Sequence, residues 1–173
     1  MNDNIIINKV AQSGIVTLDM QDMLHNESLA FLDLASLLGE ELILREKYFR
    51  EQLEQLDTGA FHNAYVAVHC SSDIIIQPWA WMLVTQKLQE TARQVFLCEP
   101  GQLQTRVLLH KIAHELNAAG YTDARVVIKG CGASWVSAEC YLQITQKLLP
   151  YVKSLMYGEP CSTVPVYKKK KQH

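Results

Sequence analysis

The sequence predicts an α/β fold: three layers around a mainly parallel sheet, built from three strand–helix units with N-terminal strands at one edge. Two observations point there. Short, largely β-branched runs recur at Tyr65–His69 (YVAVH), Gln94–Leu97 (QVFL) and Ala124–Lys129 (ARVVIK), and each is followed by a stretch with helical spacing. Strands covered by helices read as such unbroken apolar runs, and helical crossovers join parallel neighbours in a right-handed sense. The composition agrees, because 173 residues with 49% apolar side chains can bury an ordinary globular core.

The individual elements follow in order. Ile15–Asp19 (IVTLD) alternates apolar and polar residues, as a half-buried strand does, and 30–34 (AFLDL) is a second strand candidate. Leu42 to Leu56 sets Leu42, Leu44, Phe49, Leu53 and Leu56 among charges, which predicts an amphipathic helix ended by Asp57-Thr58-Gly59. Residues 1–60 thus form an entry region. The strand–helix units fill 65–157. Their first helix starts at Pro78, whose missing N–H suits a first turn. The next two span 103–117 and 137–157. Pro160 and Pro165 make 158–167 an extended return, since proline cannot continue a helix. All of 1–167 reads as a single domain, and 168–173 as a solvated basic tail.

Charge and targeting signals narrow the function. The chain carries 16 Lys and Arg against 18 Asp and Glu, and Lys168–Lys171 hold four of those cations. A body this acidic argues against nucleic-acid binding, which uses a basic face. Met1-Asn2-Asp3-Asn4 lacks a basic leader, and the apolar block Trp79–Val84 is far shorter than the ~20 residues a membrane span needs. Five cysteines without a secretory signal predict reduced thiols in a cytoplasm. No dinucleotide-binding, P-loop or nucleophile-elbow motif occurs.

The cysteines carry the chemistry. Cys70, Cys98 and Cys131 each follow a predicted strand, so one parallel sheet would gather all three at its carboxyl edge, where ligands bind in such folds. Cys161 joins them if the 158–167 segment returns across the strand ends. Thiolates in such a set select zinc, copper(I) or an iron–sulfur cluster, with Asp73 or His69 as a fourth ligand or an outer partner. A second reading rests on Gly130-Cys131-Gly132. Flanking glycines let a ligand approach the backbone, and Lys129 beside Cys131 would favour a nucleophilic thiolate in a thiol-dependent transferase. A plain turn accounts for the same glycines. His110 and His114 share a helix face, but Lys111 stands where a metalloprotease motif needs glutamate. Trp79 and Trp81 could line a ligand pocket, although aromatics early in a helix are more often packing anchors.

Several blocks together resemble a known family. They are 10–15 (VAQSGI), 42–46 (LILRE), 70–73 (CSSD), 78–80 (PWA), 125–132 (RVVIKGCG) and 156–165 (MYGEPCSTVP). Over nearly the whole chain the sequence is similar to a bacterial domain family of unknown function, number 2480. The resemblance implies that Cys70, Cys131 and Cys161 belong to the family pattern, whereas Cys98, Cys140, His110 and His114 do not. It also implies a role near iron–sulfur assembly proteins. The leading expectation is therefore a metal-binding accessory protein with Cys70, Cys131, Cys161, Asp73 and His69 at its site. A thiol transferase using Cys131 and a non-catalytic scaffold are the alternatives. The exposed edge of the N-terminal strands predicts a homodimer.

Overall fold

The computed structural model describes residues 14–129, 133–159 and 161–170. Cys131 and its flanking glycines lie outside the described residues, as do Pro160 and the stretch 1–13. Strands β1 (Ile15–Asp19), β2 (Leu29–Asp33), β3 (Tyr65–His69), β4 (Gln94–Leu97) and β5 (Arg125–Lys129) form where the apolar runs predict them. Two more strands, β6 (Ser154–Glu159) and β7 (Ser162–Lys168), follow. The α-helices are α1 (Glu46–Gln55), α2 (Pro78–Leu88), α3 (Leu103–His114) and α4 (Ala138–Leu148).

The strands fall into two sheets, not one. β2, β3 and β4 make a parallel three-stranded sheet in that order, and β1, β5, β6 and β7 make a four-stranded one. In the second, β5 runs parallel to β1 and β6, while β7 is antiparallel to β6. The chain divides accordingly into two compact units. One is contiguous, Asn26–Val107; the other joins Met1–His25 to Leu108–His173, and the division falls within α3. Alternating strands and helices are compatible with one sheet or two, because the pairing of β1 with β5 is not a local property of either segment.

In the contiguous unit, α1 and α2 cover one face of the sheet. Phe49 and Leu53 from α1 and Ala80, Val84 and Leu88 from α2 pack with Leu32, Val66 and Val68. In the other unit, Leu108 and Ile112 of α3 and Cys140, Ile144 and Leu148 of α4 pack with Leu18, Val126, Ile128 and Leu155. At the ~25 cal/mol per Å² of apolar surface removed from water, these two clusters supply the main folding drive of their units.

Three expected helices are shorter than their patterns, the 103–117 helix ending at His114. The 42–56 helix begins only at Glu46, because Leu42 turns the chain with φ 50° and the stretch before Glu46 is irregular. The expected 137–157 helix ends at Leu148, and Pro150 explains it: proline removes the N–H and clashes with the preceding turn. Ser154–Glu159 is thereby freed to pair with β5. The return after Gly158 is extended as expected, but it pairs as an antiparallel hairpin strand and does not run along the strand ends. Gly158 is obligatory there: at φ 121° a Cβ would lie 2.6 Å from the Ser162 carbonyl oxygen.

A sixty-residue correspondence runs through the chain. β3 and β5 start at Tyr65 and Arg125, and α2 and α4 span 78–88 and 138–148. Thr85-Gln86-Lys87-Leu88 recurs as Thr145-Gln146-Lys147-Leu148, and Glu99-Pro100 as Glu159-Pro160. The structural details repeat as well. Asn63 and Asp123 take left-handed backbone at φ 52° and 56°, which their short polar side chains tolerate. Their N–H groups donate to Thr91 and Tyr151, while Arg93 and Lys153 donate to Ala64 and Ala124. Each unit is thus one copy of a strand–helix–strand–helix–strand repeat, and the three expected units resolve into two.

Candidate functional site

Parallel strands expose their terminal carbonyls and the loops that follow at one end, and side chains there can converge on a ligand. In the contiguous unit that end is built by Asp33, His69 and Leu97, the last residues of β2, β3 and β4. Asp33 anchors it. Its Oδ1 accepts the backbone N–H groups of Ala35 and Ser71, each at 3.0 Å, so one carboxylate ties the exit of β2 to the exit of β3. Burial raises the Asp33 carboxyl, but the Ser71 side chain and backbone, the Ala35 N–H and the nearby His69 together outweigh it, and the pKa lies below its ordinary value.

His69 stands beside this anchor with its side chain 13% exposed. Its Nδ1 is buried and has no hydrogen-bond partner within the protein. Glu99 Oε2 lies 3.5 Å away, close enough for an ion pair with a protonated imidazole but not aligned as a hydrogen bond. Glu99 is held by a capping box with Gln102, whose Oε1 accepts the Glu99 N–H at 3.3 Å.

These groups border a cleft of about 350 Å³, with Cys70 and Cys98 also on its wall and Trp81, Ile76 and Leu97 as apolar surface. The Cys70 thiol donates to the Ser72 carbonyl at 3.7 Å. Burial pushes the Cys98 thiol up; Arg106 opposes this and Glu99 adds to it. Burial thus favours the neutral form of the Cys98 thiol.

The expected ligand set is distributed otherwise than a single sheet would place it. His69 and Cys70 border the cleft, whereas Asp73 is exposed and does not line it. Cys161 is exposed in the β6–β7 hairpin of the other unit, and Cys131 follows β5 of that same unit, outside the described residues. The one-edge argument for Cys70, Cys98 and Cys131 fails because β3 and β4 belong to one sheet and β5 to the other. Among the described residues, no group of three or more His, Cys, Asp or Glu is placed to hold a metal ion. Cys140 is buried in its unit's core. Sequence reasoning passed over Glu99; it placed Cys98 at the ligand edge before the family resemblance set it aside, and it weighed Trp81 as a pocket residue but preferred a packing role. The signal was available in the repeated Glu-Pro after each third strand.

The molecule is thus an α/β protein of two repeated units, with a ligand-sized cleft at the carboxyl end of one sheet. It belongs to the family described as protein of unknown function (DUF2480), whose model matches residues 4–169. No curated protein and no solved structure matches the chain. Among the described residues, no helix is long and apolar enough to cross a membrane.

Proposed function

We propose that the protein binds a small organic molecule in the cleft at the carboxyl end of β2, β3 and β4. His69 and Glu99 hold its polar head, and Trp81, Ile76 and Leu97 hold its apolar body. The buried, unpartnered His69 Nδ1 carries this reading. A polar atom left unsatisfied costs about 1–3 kcal/mol, which a ligand supplying the missing hydrogen bond recovers. The mixture of apolar wall and few polar groups is that of small-molecule sites, and its volume falls within their usual range. The test is a nitrogen–proton correlation spectrum of the full chain, titrated with small aryl amides, alcohols and carboxylic acids. Binding is expected to shift amides at 68–70 and 97–99 and to weaken at least tenfold in His69→Leu. If no compound moves those amides, the reading is wrong.

A thiolate metal centre is the second reading, supported by the register of the other sheet. Lys129 Nζ and Glu159 Oε1, at the ends of neighbouring parallel strands, lie 3.9 Å apart, and the chain continues from them to Cys131 and Cys161. Zinc or an iron–sulfur cluster bound there would fit an accessory role in iron–sulfur metabolism. Elemental analysis of anaerobically purified protein decides it. Near-stoichiometric zinc or iron, lost in Cys131→Ser and Cys161→Ser but kept in Cys140→Ser, supports the centre; metal-free parent protein excludes it.

A further inference from the structure

The sixty-residue correspondence reaches the functional end of each sheet. His69 corresponds to Lys129, Glu99 to Glu159, Trp81 to Tyr141 and Leu97 to Tyr157. Asp33 has its counterpart in Asp19, since Asp33 pairs in register with His69 and Asp19 with Lys129. Asp19 also repeats the anchoring turn: its Oδ1 accepts the Gln21 N–H at 2.9 Å, as Asp33 accepts Ala35.

Core positions recur for packing reasons, as Leu88 and Leu148 do. Glu159 recurs without one. Its side chain is 46% exposed, and Ser162 stands where the capping partner Gln102 stands in the other copy. Its neighbour is Lys129 Nζ at 3.9 Å, and Asp19 Oδ2 lies 3.5 Å from the same ammonium. Tyr141 and Tyr157 meet edge to face with ring centroids 5.5 Å apart, and Tyr157 remains 39% exposed. Both copies therefore set a side-chain nitrogen, the His69 imidazole or the Lys129 ammonium, beside a carboxylate and next to aromatic surface.

That pairing narrows its ligand. A carboxylate ligand is repelled by Asp19 and Glu159, and a cationic one must displace the Lys129 ammonium that already pairs with both. A neutral edge that presents a carbonyl beside an N–H meets both groups: the carbonyl accepts from the cation and the N–H donates to the glutamate. An aromatic ring bearing such an edge can also lie against Tyr141 and Tyr157. We propose that Lys129, Glu159, Tyr141 and Tyr157 form a second binding site, for a flat molecule with an amide-type edge, of the same class as the ligand bound at His69 and Glu99. The shared class rests on the function proposed above; the second site's own geometry does not.

Benzamide is the probe, titrated into the full chain and followed by the same amide spectrum. Two groups of shifts are expected, one at 68–70 and 97–99 and one at 128–129 and 157–159. Lys129→Met, at a partly exposed position, is expected to weaken the second response at least tenfold and leave the first unchanged. Glu159→Leu, at a half-exposed position, is expected to do the same. His69→Leu is expected to abolish only the first response. Shifts at the first group alone overturn the second site and leave the cleft intact. Shifts at the second group alone uphold the second site and remove the shared ligand class. No shift at either group overturns the proposal.

Discussion

Asp33 shows how one side chain can hold a site together from outside it. Its carboxylate joins two strand exits, and Asp33→Ala is expected to cost about 1 kcal/mol, as loss of a comparable cap does. The pH dependence has a definite sign. Because its folded pKa is depressed, the Asp33 contribution is fully present above the ordinary carboxylate value of about 4 and is lost as pH falls through the lower, folded value. Urea unfolding of parent and Asp33→Asn should therefore differ at pH 7 and converge in strong acid. Thiol reactivity offers a second check at this scale. Cys161 is exposed, while Cys98 and Cys140 are buried and burial favours the neutral form of the Cys98 thiol. Mass spectrometry after brief alkylation at neutral pH should find Cys161 modified ahead of Cys98 and Cys140, which stay protected until the chain unfolds.

The repeated Thr-Gln-Lys-Leu is an element-scale device. In each unit its lysine reaches back to the last turn of the preceding helix: Lys87 Nζ donates to the Glu54 carbonyl of α1 at 3.4 Å, and Lys147 Nζ to the Ala113 carbonyl of α3 at 2.6 Å. A cation at these unpaired carbonyls also suits the helix dipole. Lys147→Met is expected to cost about 1 kcal/mol, and Lys87→Met less, because its contact is longer and more exposed; thermal unfolding measures both. Strand positions were legible because β-branched runs such as Tyr65–His69 have few alternatives. Ser154–Glu159 was not, since its six residues follow an apolar helix without a change of composition and only Pro150 marks the break.

At the scale of the molecule, two separate apolar clusters mean two local stabilities. Leu88 and Leu148 are both fully buried at equivalent positions, and either change to alanine is expected to cost about 2–5 kcal/mol. Native-state hydrogen exchange should place the damage: Leu88→Ala speeds exchange chiefly in β2–β4, and Leu148→Ala chiefly in β5 and β6. The division itself was hidden because residues near in sequence do not report which distant strand they pair with. Its signature was nonetheless present in the two Thr-Gln-Lys-Leu stretches. The cleft was half legible: His69 and Cys70 stood out by position and chemistry, whereas Glu99 and Trp81 acquire meaning only once β3, β4 and α2 are assembled.

The pairing of β1 with β5 imposes a timetable on synthesis. β1 leaves the ribosome early, but its partner is translated only after the whole Asn26–Val107 unit, an interval of roughly 5–20 s at ordinary elongation rates. By the end of that interval the contiguous unit has all its strands in hand and can close, while Ile15–Asp19 still has neither neighbour nor sheet. A nascent chain stalled before Arg125 would carry one finished half and one waiting strand, so the order of translation, and not the relative strength of the two cores, decides which copy of the repeat folds first.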